Sequence, residues 1–207
     1  FRHWVNFKMN IEYNYYFWGP LLFKTILQKQ DIVNIKKLCN KKKSNLYVKD
    51  LAGVIDNEYT VDKIKLVKII DKYLVAFQQA SKKYYGADCP QLIINNSWVN
   101  YMKKGESNPP HVHPTCDLSS VMYLDVPDKL LKEQKQWQGR GSGPGAITFV
   151  NQTPFPGFIG SNIFKPKTGD FFIFPSMLVH MVATFKSDVE RISLASNFNF
   201  DNSQGNQ

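Results

Sequence analysis

Cysteine is scarce in this 207-residue chain: Cys39, Cys89 and Cys116 are odd in number and far apart. No two have zinc-ligand spacing and three make no disulfide framework, so the pattern fits a reducing cytoplasm. No apolar run reaches the roughly 18 residues of a membrane helix. The N-terminus carries no signal-peptide pattern. Phe1 to Lys8, ahead of Met9, reads as vector or reading-frame residue. Acidic residues are in deficit, 17 against 26 lysines and arginines, which gives a formal charge of +9. The lysines are scattered apart from Lys41-Lys42-Lys43, and no nucleic-acid motif accompanies them. The charge therefore leans towards an anionic partner and makes nucleic acid the weaker expectation. Histidine is also rare. There are four in the chain, and two of them are His111 and His113.

What is present describes a folded chain. A 43% hydrophobic content with 14% aromatic residues excludes disorder. The length suits one domain over 1–207, with strand and helical support in 10–88 and a β core in 90–200. The run Tyr13, Tyr15, Tyr16, Phe17, Trp18, Leu21, Leu22 and Phe23 should pack along a sheet or under a helix, broken at Gly19-Pro20. Asp31 is placed to cap a short helix through Ile32, Ile35 and Leu38 that stops near Asn40. Thr60 is placed to cap a longer one, with Asp62 in its first turn. Apolar residues from Ile64 to Phe77 recur there at helical spacing, and Lys82 and Lys83 close it before Gly86.

After Pro90 short apolar runs alternate with turn residues. Strands are expected at 91–95, 98–102, 111–113, 118–126, 146–150, 170–174, 179–185 and 191–198. The fold class is mainly β (α+β), a double-sheet jelly roll with an N-terminal helical extension packed on the sheet. The polar segment 129–145, with Gly139, Gly141, Gly143 and Gly145, is expected to be an exposed, mobile loop. Together with 151–162 it should line an entrance.

The chemistry concentrates in Pro109-Pro110-His111-Val112-His113-Pro114-Thr115-Cys116-Asp117. On a strand His111 and His113 share one face and offer two neutral ring nitrogens to a divalent ion. His180, after the strand Phe171 to Pro175, is the obvious third donor, and Asp117 is the alternative. Imidazoles with or without a carboxylate suit mononuclear non-haem Fe(II), and zinc would accept the same set. Cys116 has the opposite parity and reads as packing. In the last strand Arg191 and Ser193 share a face, and an arginine fork beside a hydroxyl is made to hold a carboxylate. A turn near Lys186 to Asp188 is expected to make 179–198 a hairpin, returning Arg191 beside His180. Tyr123 matches the parity of the His pair along an unbroken strand.

These pieces resemble the 2-oxoglutarate/Fe(II)-dependent oxygenases, especially a poorly characterised bacterial and phage branch. The resemblance rests on Pro110 to Pro114, Leu118 to Leu124, Lys167-Thr168-Gly169-Asp170, Phe174-Pro175-Ser176 with His180, and Arg191-Ile192-Ser193 with Asn197. It implies a double-stranded β-helix holding Fe(II), with His111 as first and His180 as distal ligand. Arg191, assisted by Ser193 and Tyr123, would bind the distal carboxylate of 2-oxoglutarate. The implied reaction, with O2, is oxidative decarboxylation to succinate and CO2 coupled to oxidation of a second substrate. The family's first motif is His-x-Asp, and His113 stands at the aspartate position here. The site is then either a three-histidine one, more positive by one charge, or one completed by Asp117. Two rival readings remain at this stage: a cupin-like metalloenzyme without 2-oxoglutarate, which leaves Arg191 unexplained, and a non-catalytic jelly-roll binding module. The second substrate and the oligomeric state are not written in the sequence.

Overall fold

The run Phe171-Phe172-Ile173-Phe174 is apolar at every position, so a strand there needs cover on both faces. A computed structural model describes residues 3–6, 11–16, 19–39, 45–46, 53–151 and 160–201, and shows where that cover comes from. The elements in chain order are β1 (His3–Asn6), β2 (Glu12–Tyr16), β3 (Leu22–Ile26), α1 (Lys29–Leu38), β4 (Glu58–Thr60), α2 (Lys63–Tyr85), β5 (Leu92–Lys103) and β6 (Asn108–His111). They continue with β7 (Leu118–Asp125), α3 (Asp128–Gln136), β8 (Ile147–Val150), β9 (Ser161–Phe164), β10 (Asp170–Pro175), β11 (Val179–Val182) and β12 (Glu190–Phe200).

The strands form two antiparallel sheets. The larger has the order β1-β2-β3-β10-β7-β12-β5-β4 and the smaller β6-β11-β8-β9. Phe171 and Ile173 belong to a core between the large sheet and the helices, with Phe23, Met122 and Leu194 and, from α2, Leu66, Ile70, Tyr73 and Phe77. Phe172 and Phe174 face the other way, into a second core with Tyr123, Ile147, Phe149 and Val182. Period-two alternation thus divides one apolar run between two layers. This is the jelly roll, with the helical extension packed on its large sheet.

The N-terminal aromatic segment contributes buried Tyr13, Leu21, Leu22 and Phe23 to these cores. Phe17, Trp18 and Lys41 to Lys43 lie outside the described residues, and so do 152–159 of the expected entrance segment. The rest of that segment contains the start of β9, which has no strong signal in the sequence.

Several boundaries differ from the sequence reading. Helix α1 begins at Lys29, and Asp31 sits inside its first turn as a buried group. Asp31 accepts a hydrogen bond from the Tyr73 hydroxyl at 2.6 Å and pairs with Lys72 at 2.7 Å. Two partners on α2 hold its carboxylate where a local cap was expected. Helix α2 is capped by Asp62, whose carboxylate accepts from the amides of Ile64 and Lys65, while Thr60 ends β4. Strand β5 is continuous where two strands were expected, because β12 pairs along its length and a register shift at Asn197/Phe198 absorbs the irregularity.

Segment 129–145 is not a loop throughout. Its first part is α3, which buries Leu130 and Gln134, while Glu133 accepts from the amides of Lys186 and Ser187 at 2.9 and 2.8 Å. The expected 179–198 hairpin is absent as well. β11 pairs with β6 and β8, whereas β12 pairs with β5 and β7 in the other sheet. Residues 183–189 therefore cross between layers.

Candidate metal centre

His111 ends β6, and His180 lies directly opposite it on β11. The two ring centroids are 4.2 Å apart. His113 is two residues past the end of β6, so strand parity does not place it. Its amide donates to the Ser176 carbonyl at 2.9 Å, which turns its ring back towards the pair. His113 Nε2 stands 3.3 Å from His180 Nε2. One ring nitrogen from each of the three histidines lies within 4.8 Å of the others.

The ring states follow from their neighbours. His111 Nδ1 is 2.7 Å from the Pro109 carbonyl and His180 Nδ1 is 3.0 Å from the Leu178 carbonyl. A carbonyl oxygen only accepts, so both Nδ1 atoms carry the proton and both Nε2 atoms keep a lone pair. Burial, and then the neighbouring His111, push His180 down to about 3 and His113 down to about 4. Burial lowers His111 too, opposed by its bond to Pro109. Three neutral imidazoles therefore converge at neutral pH, the protonation state that a metal ligand needs. Phe174 and Phe149 flank His180 at 4.7 and 6.1 Å between centroids.

Asp117 stands apart from this group. Its carboxylate accepts from the Phe200 amide at 2.8 Å, and its backbone bonds to Phe198 and Ser176. Cys116 Sγ contacts the His113 carbonyl.

At the far end of the cavity Arg191 is 2% exposed. Its Nη1 donates to the Gly145 carbonyl at 3.2 Å, its Nε has no partner, and its guanidinium lies over the Tyr123 ring at 5.2 Å. Among the described residues no carboxylate pairs with it. The buried Tyr123 hydroxyl is likewise without a partner, and burial pushes its pKa up to about 12. Ser193 pairs with Tyr123 across β12 and β7. A buried cation with an unused donor beside an unused hydroxyl is costly unless a ligand supplies the missing acceptor. A cavity of about 40 Å³ joins Arg191, Tyr123 and Ser193 to His111 and His180. The donor set at one end and the unpaired cation at the other fit a divalent metal and a dicarboxylate.

The sequence reading did not single out Trp98 and Asn100, which line the same cavity. The Asn100 side-chain oxygen is buried without a partner, and the Trp98 ring lies 6.1 Å from that of His113. Their signal was parity: both sit on the inward face of β5, with apolar Val99 between them.

The matching family model is described as "Putative 2OG-Fe(II) oxygenase" and covers residues 96–197. Its span contains the three histidines, Tyr123, Arg191 and Ser193. No curated protein matches the chain. Among solved structures, a prolyl-4-hydroxylase from Pseudomonas putida is 15% identical, with 88% of this chain and 94% of that one covered at a TM-score of 0.56. A viral collagen prolyl hydroxylase from Paramecium Bursaria Chlorella virus-1, solved with 2-oxoglutarate, is 15% identical over 87% and 96% of the two chains, TM-score 0.57. An oxidoreductase of the 2OG-Fe(II) oxygenase family from Burkholderia pseudomallei is 16% identical over 83% and 79%, TM-score 0.51. The cofactors of this family are Fe(II) and 2-oxoglutarate, and the three imidazoles fit iron. Residues 96–197, just under half of the chain, thus match the 2OG-Fe(II) oxygenase family, and the chain shares its fold with these structures.

Proposed function

We propose that the protein is a non-haem Fe(II)- and 2-oxoglutarate-dependent dioxygenase that hydroxylates a second substrate. The observation that carries this reading is the buried Arg191, with no carboxylate partner among the described residues, on the same cavity as His111 and His180 of the three clustered imidazoles. In this reading His111, His113 and His180 hold the iron. Arg191 takes the distal carboxylate of 2-oxoglutarate, Tyr123 donates its hydroxyl to the same group, and Ser193 assists. Bound iron and 2-oxoglutarate supply the activation of O2 that no side chain can perform. The protein's own work is positional. Phe174 and Phe149 pack against His180, and Arg191 fixes the cosubstrate by charge.

Asp117 is engaged at the Phe200 amide, which supports His113 as the third ligand. Residues 90–200 are the catalytic core of the one domain and 10–88 its support. Cys39, Cys89 and Cys116 are free thiols, which supports a reducing, cytoplasmic setting. No described helix is long and apolar enough to cross a membrane.

Anaerobic addition of Fe(II) and then 2-oxoglutarate to the apo-protein tests the reading. A visible charge-transfer band that needs both is expected. Metal binding without the band would favour the cupin-like alternative. Neither metal nor band would leave a non-catalytic binding module.

A further inference from the structure

The three histidines are not equivalent. His111 and His180 sit opposite each other in the small sheet, and each ring is held by an Nδ1–H bond to a backbone carbonyl, of Pro109 and Leu178. Such a bond fixes both the tautomer and the ring orientation before a metal arrives, and raises the basicity of the other nitrogen. His180 is further wedged by Phe174 and Phe149. His113 has none of these supports. It lies past the strand end, its backbone is tied to the Ser176 carbonyl and the Cys116 thiol, and among the described residues its only ring hydrogen-bond contact is with His180 itself. Trp98 flanks it loosely, at 6.1 Å. Because His180 Nε2 carries the lone pair, His113 Nε2 is the donor of their contact, and among the described residues the His113 Nδ1 has no acceptor to hold the proton in the other tautomer.

We infer that His111 and His180 are the resident ligand pair, and that His113 is the exchangeable third ligand, able to leave the metal without releasing it. The argument rests on the triad's being the metal site. The physical reason is preorganisation. Binding through His111 and His180 costs little ordering, whereas His113 must move its proton from Nε2 to ligate through that atom and gives up its bond to His180. When it leaves, it opens a coordination position on a centre that carries no carboxylate, which suits an anionic donor better than a neutral one.

The test uses the full chain and Co(II) as the probe, with titration calorimetry and the visible Co(II) spectrum as readouts. His113→Ala should retain Co(II) with affinity lowered by about 10- to 100-fold, the scale of losing a supporting group. His111→Ala and His180→Ala should bind none measurably. Adding formate should restore affinity to His113→Ala and change its visible bands. His113→Asn serves as a second variant, and apo-protein melting curves establish that every variant is folded. If wild type binds no Co(II), the metal reading itself fails, and this inference with it. If wild type binds but folded His113→Ala and His113→Asn lose Co(II) as completely as the other two, the metal reading stands and the ranking is overturned. Equal, partial losses at all three positions overturn it too.

Discussion

Arg191 and Asp117 show how a side chain's partners, more than its type, decide its role. Arg191 is charged, buried and short of an acceptor. Truncating one partner of a buried charge pair typically costs 2 kcal/mol or more. Arg191→Ala should therefore bind Fe(II) as wild type does while its affinity for 2-oxoglutarate falls by at least about 30-fold, as titration calorimetry would show. Asp117 directs one carboxylate oxygen at the Phe200 amide. Asp117→Ala should leave metal affinity unchanged and lower stability by about 1 kcal/mol in denaturant unfolding. Loss of metal in that variant would return Asp117 to the ligand set.

At the scale of elements, α2 is the clearest case of local chemistry and tertiary packing agreeing. Asp62 caps its first turn, and Gly86 ends it with φ of +75°, where a side chain is disfavoured. No neighbouring atom would obstruct a Cβ there, so Gly86→Ala tests the backbone preference alone and should cost about 1 kcal/mol by thermal melting. Elsewhere packing overrode the local signal. Segment 129–145 has a polar composition, yet Leu130 is fully buried and Glu133 anchors the crossing at Lys186 and Ser187. The predicted hairpin after His180 failed for a related reason. A turn signal says that the chain reverses, but not whether the next strand joins the same sheet. Here it joins the other one, and Arg191 reaches the cavity from across the core instead of from beside His180.

For the whole molecule, the buried carboxyl of Glu58 links stability to pH. Burial, and then the charge of Glu106, push its pKa from 4.5 up to about 8. The folded state thus keeps a proton that the unfolded chain releases above pH 4.5, so stability should fall as pH rises from about 4.5 to about 8. Below that window Glu58 costs nothing. Glu58→Gln, which stays neutral, should flatten the slope between pH 5 and pH 8 in denaturant unfolding. A slope unchanged in the variant would assign it to other groups. Ligand binding acts on the same quantity. Fe(II) at a hundredfold excess over its dissociation constant should stabilise the fold by about 2.7 kcal/mol, read as a rise in melting temperature.

By itself the sequence determined the jelly-roll class, because alternation and turn residues dictate strands whichever neighbours they find. It also determined the chemical inventory: three histidines, an arginine with a serine two residues on, and a tyrosine. Tertiary structure decided which of these meet and how. Parity along one strand was the reason to pair His111 with His113, but the strand ends at His111, and it is the Ser176 carbonyl that brings His113 round. Asp117 stands apart from the three histidines and is bonded to the Phe200 amide, 83 residues away in sequence. Such choices are set by contacts between distant segments, and local periodicity carries no information about them.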